Sequence, residues 1–140
     1  MTPDRVRLAA GLAEAMAGHA LREAPRECCG VLIGRLEGGC ARVEDVLPGT
    51  NIAASHDLYE LAPEDFVRAD AAAGDRGLEV LGFYHSHPRG PARLSHIDRA
   101  RAWPRYIYLL IAPEIGSGSG FSAWLQPAEG QDFIPLDLGI

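Results

Sequence analysis

The chain contains no lysine. All 13 of its basic residues are arginine, set against 19 acidic ones, for a formal net charge of −6. A net acidic chain does not present the broad basic surface that nucleic-acid phosphates require, so no nucleic-acid partner is expected. Cysteine is scarce: Cys28, Cys29 and Cys40. An odd number of thiols without a secretion signal argues against a disulfide framework, and three thiolates cannot build a four-thiolate zinc site. Cys28 and Cys29 are adjacent, so on a strand they point to opposite faces and chelate poorly; small core residues is the expectation for them. No apolar run approaches the roughly 18 residues of a membrane helix, so no membrane partner is expected. The segment from Met1 to Arg7 is charged and lacks an uninterrupted apolar stretch behind it, which speaks against a signal peptide and for a cytoplasmic location. Internal repeats and domain linkers are also missing from the pattern.

What is present is ordinary globular material: 140 residues, 47% apolar and 23% charged. One domain spanning residues 1–140 is expected, burying roughly two-thirds of its unfolded surface. Pro3 to Arg22 reads as a helix, with Thr2 and Pro3 at its start and Pro25 beyond its end. Cys28 to Leu36 reads as a buried strand, Glu37-Gly38-Gly39 as a turn, and Cys40 to Leu47 as the returning strand of a hairpin. A helix is expected from Ala62 to about Gly74, and a strand from Leu78 to His87. A short helix follows from Ser95 to Trp103, then a strand from Tyr106 to Ala112. Gly116 to Gly120 reads as a loop, and Phe121 to Gln126 and Phe133 to Leu138 as two further strands. The order predicts an α/β or α+β class, a mixed β-sheet with helices packed against it.

The chemistry concentrates in Gly82-Phe83-Tyr84-His85-Ser86-His87-Pro88 and in Ser95-His96-Ile97-Asp98. His85 and His87 stand two apart at a strand end, so their imidazoles leave the same face. Ser95 and Asp98 have the spacing of a capping box, which puts Asp98 in a first helical turn, where the helix dipole favours its ionised form. Two imidazoles and one carboxylate make three protein ligands and leave one tetrahedral position open, the pattern of a catalytic zinc site. Such a site needs a general base, because a metal-bound water has its pKa lowered from ~15.7 to around 7 and its proton must go somewhere. Glu27, at the head of the first apolar strand, is the candidate. Ser95 has two readings, a helix cap and a donor to the oxyanion of a tetrahedral intermediate, which could compete for one hydroxyl.

These residues resemble a family. Glu27, then His85-Ser86-His87, seven residues, Ser95, two residues and Asp98 follow the pattern of the JAMM (MPN-plus) metalloproteases. The stretches Glu27 to Gly34 and Leu81 to Pro88 resemble its first strand and its metal-binding strand. The short chain is similar to the stand-alone bacterial members. The resemblance implies a cytidine-deaminase-like JAMM/MPN domain and one zinc per chain on His85, His87 and Asp98. It implies Glu27 as acid/base and Ser95 as oxyanion stabiliser. It also implies a substrate: a small ubiquitin-like or sulfur-carrier protein cleaved after its C-terminal Gly-Gly. The stretches between Asp98 and Tyr106 and after Ala112 are short where deubiquitinases carry long insertions, which favours a small substrate over polyubiquitin.

A non-catalytic MPN scaffold is disfavoured because every ligand and Glu27 are present. A nucleoside-type deaminase would need His-x-Glu with Pro-Cys-x-x-Cys, which the sequence lacks. A RadC-like zinc hydrolase shares the His-x-His-Pro segment and stays open. His19, His56 and His96 read as bystanders and Ser86 as packing. Arg89, Arg93, Arg99, Arg101 and Arg105 read either as a solvated face or as a positive rim for an acidic carrier tail. Asn51 and Tyr59 are placed in a loop that could line the groove. Trp103 and Trp124 read as core or dimer contacts, leaving a homodimer open.

Overall fold

The computed structural model describes residues 2–113 and 120–140. Seven strands and three helices follow one another as β1 (Arg5–Leu8), α1 (Leu12–Glu23), β2 (Cys29–Glu37), β3 (Cys40–Pro48), α2 (Pro63–Asp75), β4 (Glu79–Ser86), α3 (His96–Arg101), β5 (Ile107–Ile111), β6 (Phe121–Leu125) and β7 (Ile134–Gly139). The class is α+β with a mixed sheet, as composition and order predict. The sheet closes on itself in the order β1-β3-β2-β4-β5-β6-β7, with β1 paired to both β3 and β7. The pairs β1/β3, β1/β7 and β4/β5 are parallel and the rest antiparallel.

The first element departs from the predicted helix over Pro3 to Arg22. Arg5 to Leu8 form a strand, with Val6 and Leu8 buried and Arg5 and Arg7, alternating with them, half-buried. Val6 fits a period of two as well as it fits a period near 3.6, so local spacing does not separate the two forms. The decision is tertiary: β1 supplies the partner that both β3 and β7 require to close the sheet. Gly11, at φ 86°, turns the chain in the left-handed region and starts α1. The remaining elements lie within one or two residues of expectation. The expected loop at Gly116 to Gly120 lies, except for Gly120, outside the described residues.

The sheet divides the apolar side chains. Inside lie Val6, Met16, Leu32, Val43, Tyr84 and Leu109 among others, with α1 packed against them. On the opposite side Val31 and Ile33 of β2 meet Ala69 and Ala73 of α2. β2 is therefore buried on both faces from Cys29 to Gly34, which explains its unbroken apolar run. A third cluster, Leu94, Tyr108 and Leu110, packs below the loop that follows β4. Each large aliphatic side chain fully buried here contributes about 1.5–3 kcal/mol. Gly82 is required by close approach: a Cβ there would collide with the Ile107 backbone of the parallel neighbour β5. No helix among the described residues is long and apolar enough to cross a membrane.

Candidate metal centre

Three elements end at one point. β4 delivers His85 as its penultimate residue and His87 just past its end. β2 lies antiparallel beside it, with Cys29 opposite His85, so Glu27 at the entry to β2 arrives next to the histidines. The Cys28 N–H donates to the buried Ser86 Oγ at 2.8 Å, and the Ser86 N–H donates to the Cys28 carbonyl at 3.1 Å. Ser86 thus does more than pack: it pins the strand that carries the histidines to the residue after Glu27. After Pro88 the chain turns, with the Gly90 N–H on the His87 carbonyl at 2.7 Å, and returns α3 with its N-terminus over the strand end.

The start of α3 is a complete capping box. Ser95 Oγ accepts from the Asp98 N–H at 3.0 Å, and Asp98 Oδ2 accepts from the Ser95 N–H at 2.9 Å. The same Oδ2 faces His85 Nε2 at 3.2 Å and His87 Nε2 at 3.1 Å. The two imidazole nitrogens are themselves 3.2 Å apart. Three potential donor atoms therefore form a nearly equilateral triangle. Four ligands held at 2.0–2.1 Å around a tetrahedral zinc are separated by about 3.3 Å. A carboxylate oxygen of Glu27 also lies within 4.8 Å of both imidazoles. The cap and the oxyanion reading of Ser95 do not compete. In the cap its oxygen accepts, which leaves the hydroxyl proton free to donate.

The protonation states follow from burial and neighbours. Burial lowers His85 below the usual imidazole range, which outweighs the attraction of Asp98 and keeps the ring neutral. Burial also acts to lower His87, but Asp98, the Pro91 carbonyl and Glu27 outweigh it and raise the group. His87 Nδ1 donates to the Pro91 carbonyl at 2.9 Å, so the neutral ring presents its lone pair at Nε2, inside the triangle. Burial raises Asp98, yet the His85 and His87 imidazoles beside it and the hydrogen bond from the Ser95 N–H hold it well below the carboxylate range. Glu27 is 7% exposed, and burial above all, with Asp98 and Asp57 adding and His87 opposing, pushes it up to about 7. Burial pushes the Cys28 thiol up to about 11 and Cys29 to about 12, so neither supplies a thiolate near neutral pH.

The other predicted residues separate. Tyr59 stacks on the His85 ring, centroids 4.2 Å apart at 22°, and Asn51 bonds to the Glu27 carbonyl at 2.9 Å. Both sit in the strap of residues 49–62 between β3 and α2. Nothing in the sequence shows that Asn51 reaches Glu27, 24 positions earlier. Trp103 is 64% exposed rather than in the core, while Trp124 is partly buried and bonded to Ser122. His56 and His96 are exposed. His19 is no bystander: it is buried and its Nδ1 lies 2.7 Å from Tyr84 Oη. Three of the five arginines take separate places. Arg101 spans to the Tyr59 carbonyl and Glu60, Arg99 lies over Phe133, and Arg105 borders a different cavity. Beside the metal centre a largely apolar groove of about 440 Å³ runs between the strap, α2 and α3. Leu61, Phe66, Ile97 and Trp103 line it, and Tyr59 and Asp98 stand where it meets the histidines.

The chain is similar to known proteins over most of its length. The family model described as prokaryotic homologs of the JAB domain matches residues 9–126. A desampylase of Haloferax volcanii is 39% identical over 120 residues, covering 81% of this chain and 85% of the relative. A protein of Thermus thermophilus named "Probable TtuB-protein conjugate cleaving protease" is 39% identical over 123 residues, covering 87% of this chain and 76% of the relative. The solution structure of a Desulfitobacterium hafniense protein superposes with a TM-score of 0.83 at 29% identity, covering 95% of this chain and 90% of that one. The chain belongs to the prokaryotic JAB-domain family, of the JAMM/MPN type.

Proposed function

We propose that this chain is a zinc metallopeptidase hydrolysing the amide or isopeptide bond that follows the C-terminal Gly-Gly of a small ubiquitin-like or sulfur-carrier protein. The observation that carries the reading is the triangle of His85 Nε2, His87 Nε2 and Asp98 Oδ2, 3.1–3.2 Å on each side, with the buried Glu27 carboxylate beside it. Two imidazole nitrogens and an anionic oxygen at that spacing fit one zinc ion with an open fourth position. A zinc ion there would supply Lewis acidity and a water acidified to around neutral pH.

Glu27 moves the proton. Its carboxylate accepts a proton from the attacking water and, as the acid, returns it to the leaving amine nitrogen. Ser95 Oγ–H donates to the oxyanion that develops on the former carbonyl oxygen. The groove beside Asp98 takes the extended tail that precedes the scissile bond, and glycines at the bond let the backbone pass close to the strap. One relative is named a desampylase and another a probable TtuB-protein conjugate cleaving protease, which supports a protein conjugate as the substrate class. The cytidine-deaminase-like arrangement belongs to the same reading, a mixed sheet presenting ligands at a strand end and a helix start. Three buried free thiols suit a reducing compartment, the cytoplasm.

The test is elemental mass spectrometry of untagged protein and of His87→Ala. About one zinc per chain in the wild type, lost in the variant, with hydrolysis of a carrier–Gly-Gly conjugate lost alongside, is the expected result. A wild type that takes up no zinc when it is offered would turn the reading to a non-catalytic scaffold.

A further inference from the structure

One side chain registers the strap on the metal centre. Asn51 uses its whole amide. Nδ2 donates to the Glu27 carbonyl at 2.9 Å and to the Leu58 carbonyl at 3.0 Å. Oδ1 accepts from the Ala53 N–H at 2.9 Å and from the Glu60 N–H at 3.0 Å. Leu58 and Glu60 are the two neighbours of Tyr59, whose ring lies on His85. A single amide therefore holds the backbone of Glu27 on one side and both flanks of Tyr59 on the other.

His85 supplies a second, independent observation. Its Nδ1 is buried and meets no hydrogen-bond partner among the described residues. A ligating imidazole is ordinarily oriented by a bond to its second nitrogen, as His87 is by the Pro91 carbonyl. The face of the His85 ring is instead covered by Tyr59, and its edge meets the His87 ring at 5.0 Å between centroids.

We infer that Asn51 is a positioning residue of the peptidase centre: it sets the Glu27 carboxylate and the Tyr59 ring in register about His85. The inference rests on the zinc-peptidase reading. Attachment of the strap does not depend on Asn51's side chain. The Arg26 guanidinium bonds to the Ala53 carbonyl at 2.8 Å, the Thr50 N–H to Asp65 Oδ2 at 2.7 Å and the Gly49 N–H to the Cys29 carbonyl at 2.9 Å, while the Ala62–Thr50 and Ile52–Glu60 backbone bonds close the strap on itself. Loss of the amide leaves the strap in place and frees what it registers.

The experiment compares the full-length wild type with Asn51→Ala and Asn51→Asp. Aspartate keeps the acceptor for Ala53 and Glu60 and has no donor for Glu27 and Leu58. The substrate probe is a small ubiquitin-like protein with a fluorogenic amide after its Gly-Gly. Zinc is read without substrate, by competition with a chromophoric chelator. In both variants kcat falls about 10- to 100-fold, the range for groups that orient a metal site from behind. KM stays within about twofold, zinc stays at one per chain, and the chelator removes it several-fold more readily. A merely structural role would lower the unfolding temperature and leave kcat per zinc-loaded chain and the chelator competition where they were, which overturns the inference. Wild-type kcat in Asn51→Asp with loss in Asn51→Ala would overturn the link to Glu27, because strap shape alone would then matter. A wild type that binds zinc but does not cleave the probe refutes the proposed substrate, and the chelator competition still judges Asn51. A wild type that binds no zinc overturns both.

Discussion

Replacement of Glu27 by glutamine separates the roles of the four groups that converge on the site. The substitution keeps size and shape and removes one ionisable proton. Glu27 lies near enough to both histidines to be read as a ligand itself, so its role needs a direct test. If it is the base and Asp98 the third ligand, Glu27→Gln holds about one zinc per chain while kcat falls by about 10²–10⁴, or ~3–5 kcal/mol in activation free energy. The metal-free protein provides a second, opposite signature. Glu27 has an ordinary value of 4.5 and is raised to about 7 in the fold. Between those values the folded state binds more protons than the unfolded one, so stability falls as pH rises through that window. Above about pH 7 the buried carboxylate carries a full penalty of ~3 kcal/mol, at about 1.4 kcal/mol per pH unit. Glutamine carries none. Chelator-stripped Glu27→Gln should therefore be more stable than stripped wild type at pH 8, by up to ~3 kcal/mol, and the gap should close towards pH 4.5. Urea unfolding at several pH values, zinc content by mass spectrometry and single-turnover hydrolysis give the three readings. Loss of zinc from Glu27→Gln, or a stability gap that does not change with pH, would refute the reasoning.

Other substitutions probe the remaining parts. Asp98→Ala should lose zinc as His87→Ala does, and also about 1 kcal/mol from the broken capping box, read by metal content and by the urea midpoint of the stripped protein. Ser95→Ala should cost about 0.5–2 kcal/mol through the cap and lower kcat by about 10²–10³ if its proton serves the oxyanion. Ser95→Asp restores the cap acceptor without that proton, so recovery of stability without recovery of kcat is expected, and recovery of both would dismiss the oxyanion role. Tyr84→Phe strips the partner from buried His19 and should destabilise by about 1–3 kcal/mol, measured by denaturant unfolding, with zinc content unchanged.

Much of the site was legible because its chemistry is local. His85 and His87 share a face by strand geometry, and Ser95 with Asp98 announces a helix start; both arrangements are present as the spacing implies. Glu27 could be nominated but not placed by spacing alone, since its approach to the histidines depends on β2 lying antiparallel to β4. The β2 run was readable as buried for the same reason that its two-sided packing makes it uniformly apolar. Val6 and Leu8 suit a helix as well as a strand because four residues satisfy either period, and the choice belongs to β3 and β7. His19 looked partnerless because Tyr84 is 65 positions away.

The sequence by itself determined the residue types, their faces on each element and, through the pattern of Glu27, His85, His87, Ser95 and Asp98, the family. Those properties depend on neighbours within one turn or one strand, where covalent geometry and capping decide. Tertiary structure alone decided that the sheet closes, that Ser86 pins Glu27 to the histidine strand, and that Asn51 ties Tyr59 to the site. Each of those depends on contacts between positions tens of residues apart, whose formation is governed by how the whole core packs and not by any local preference.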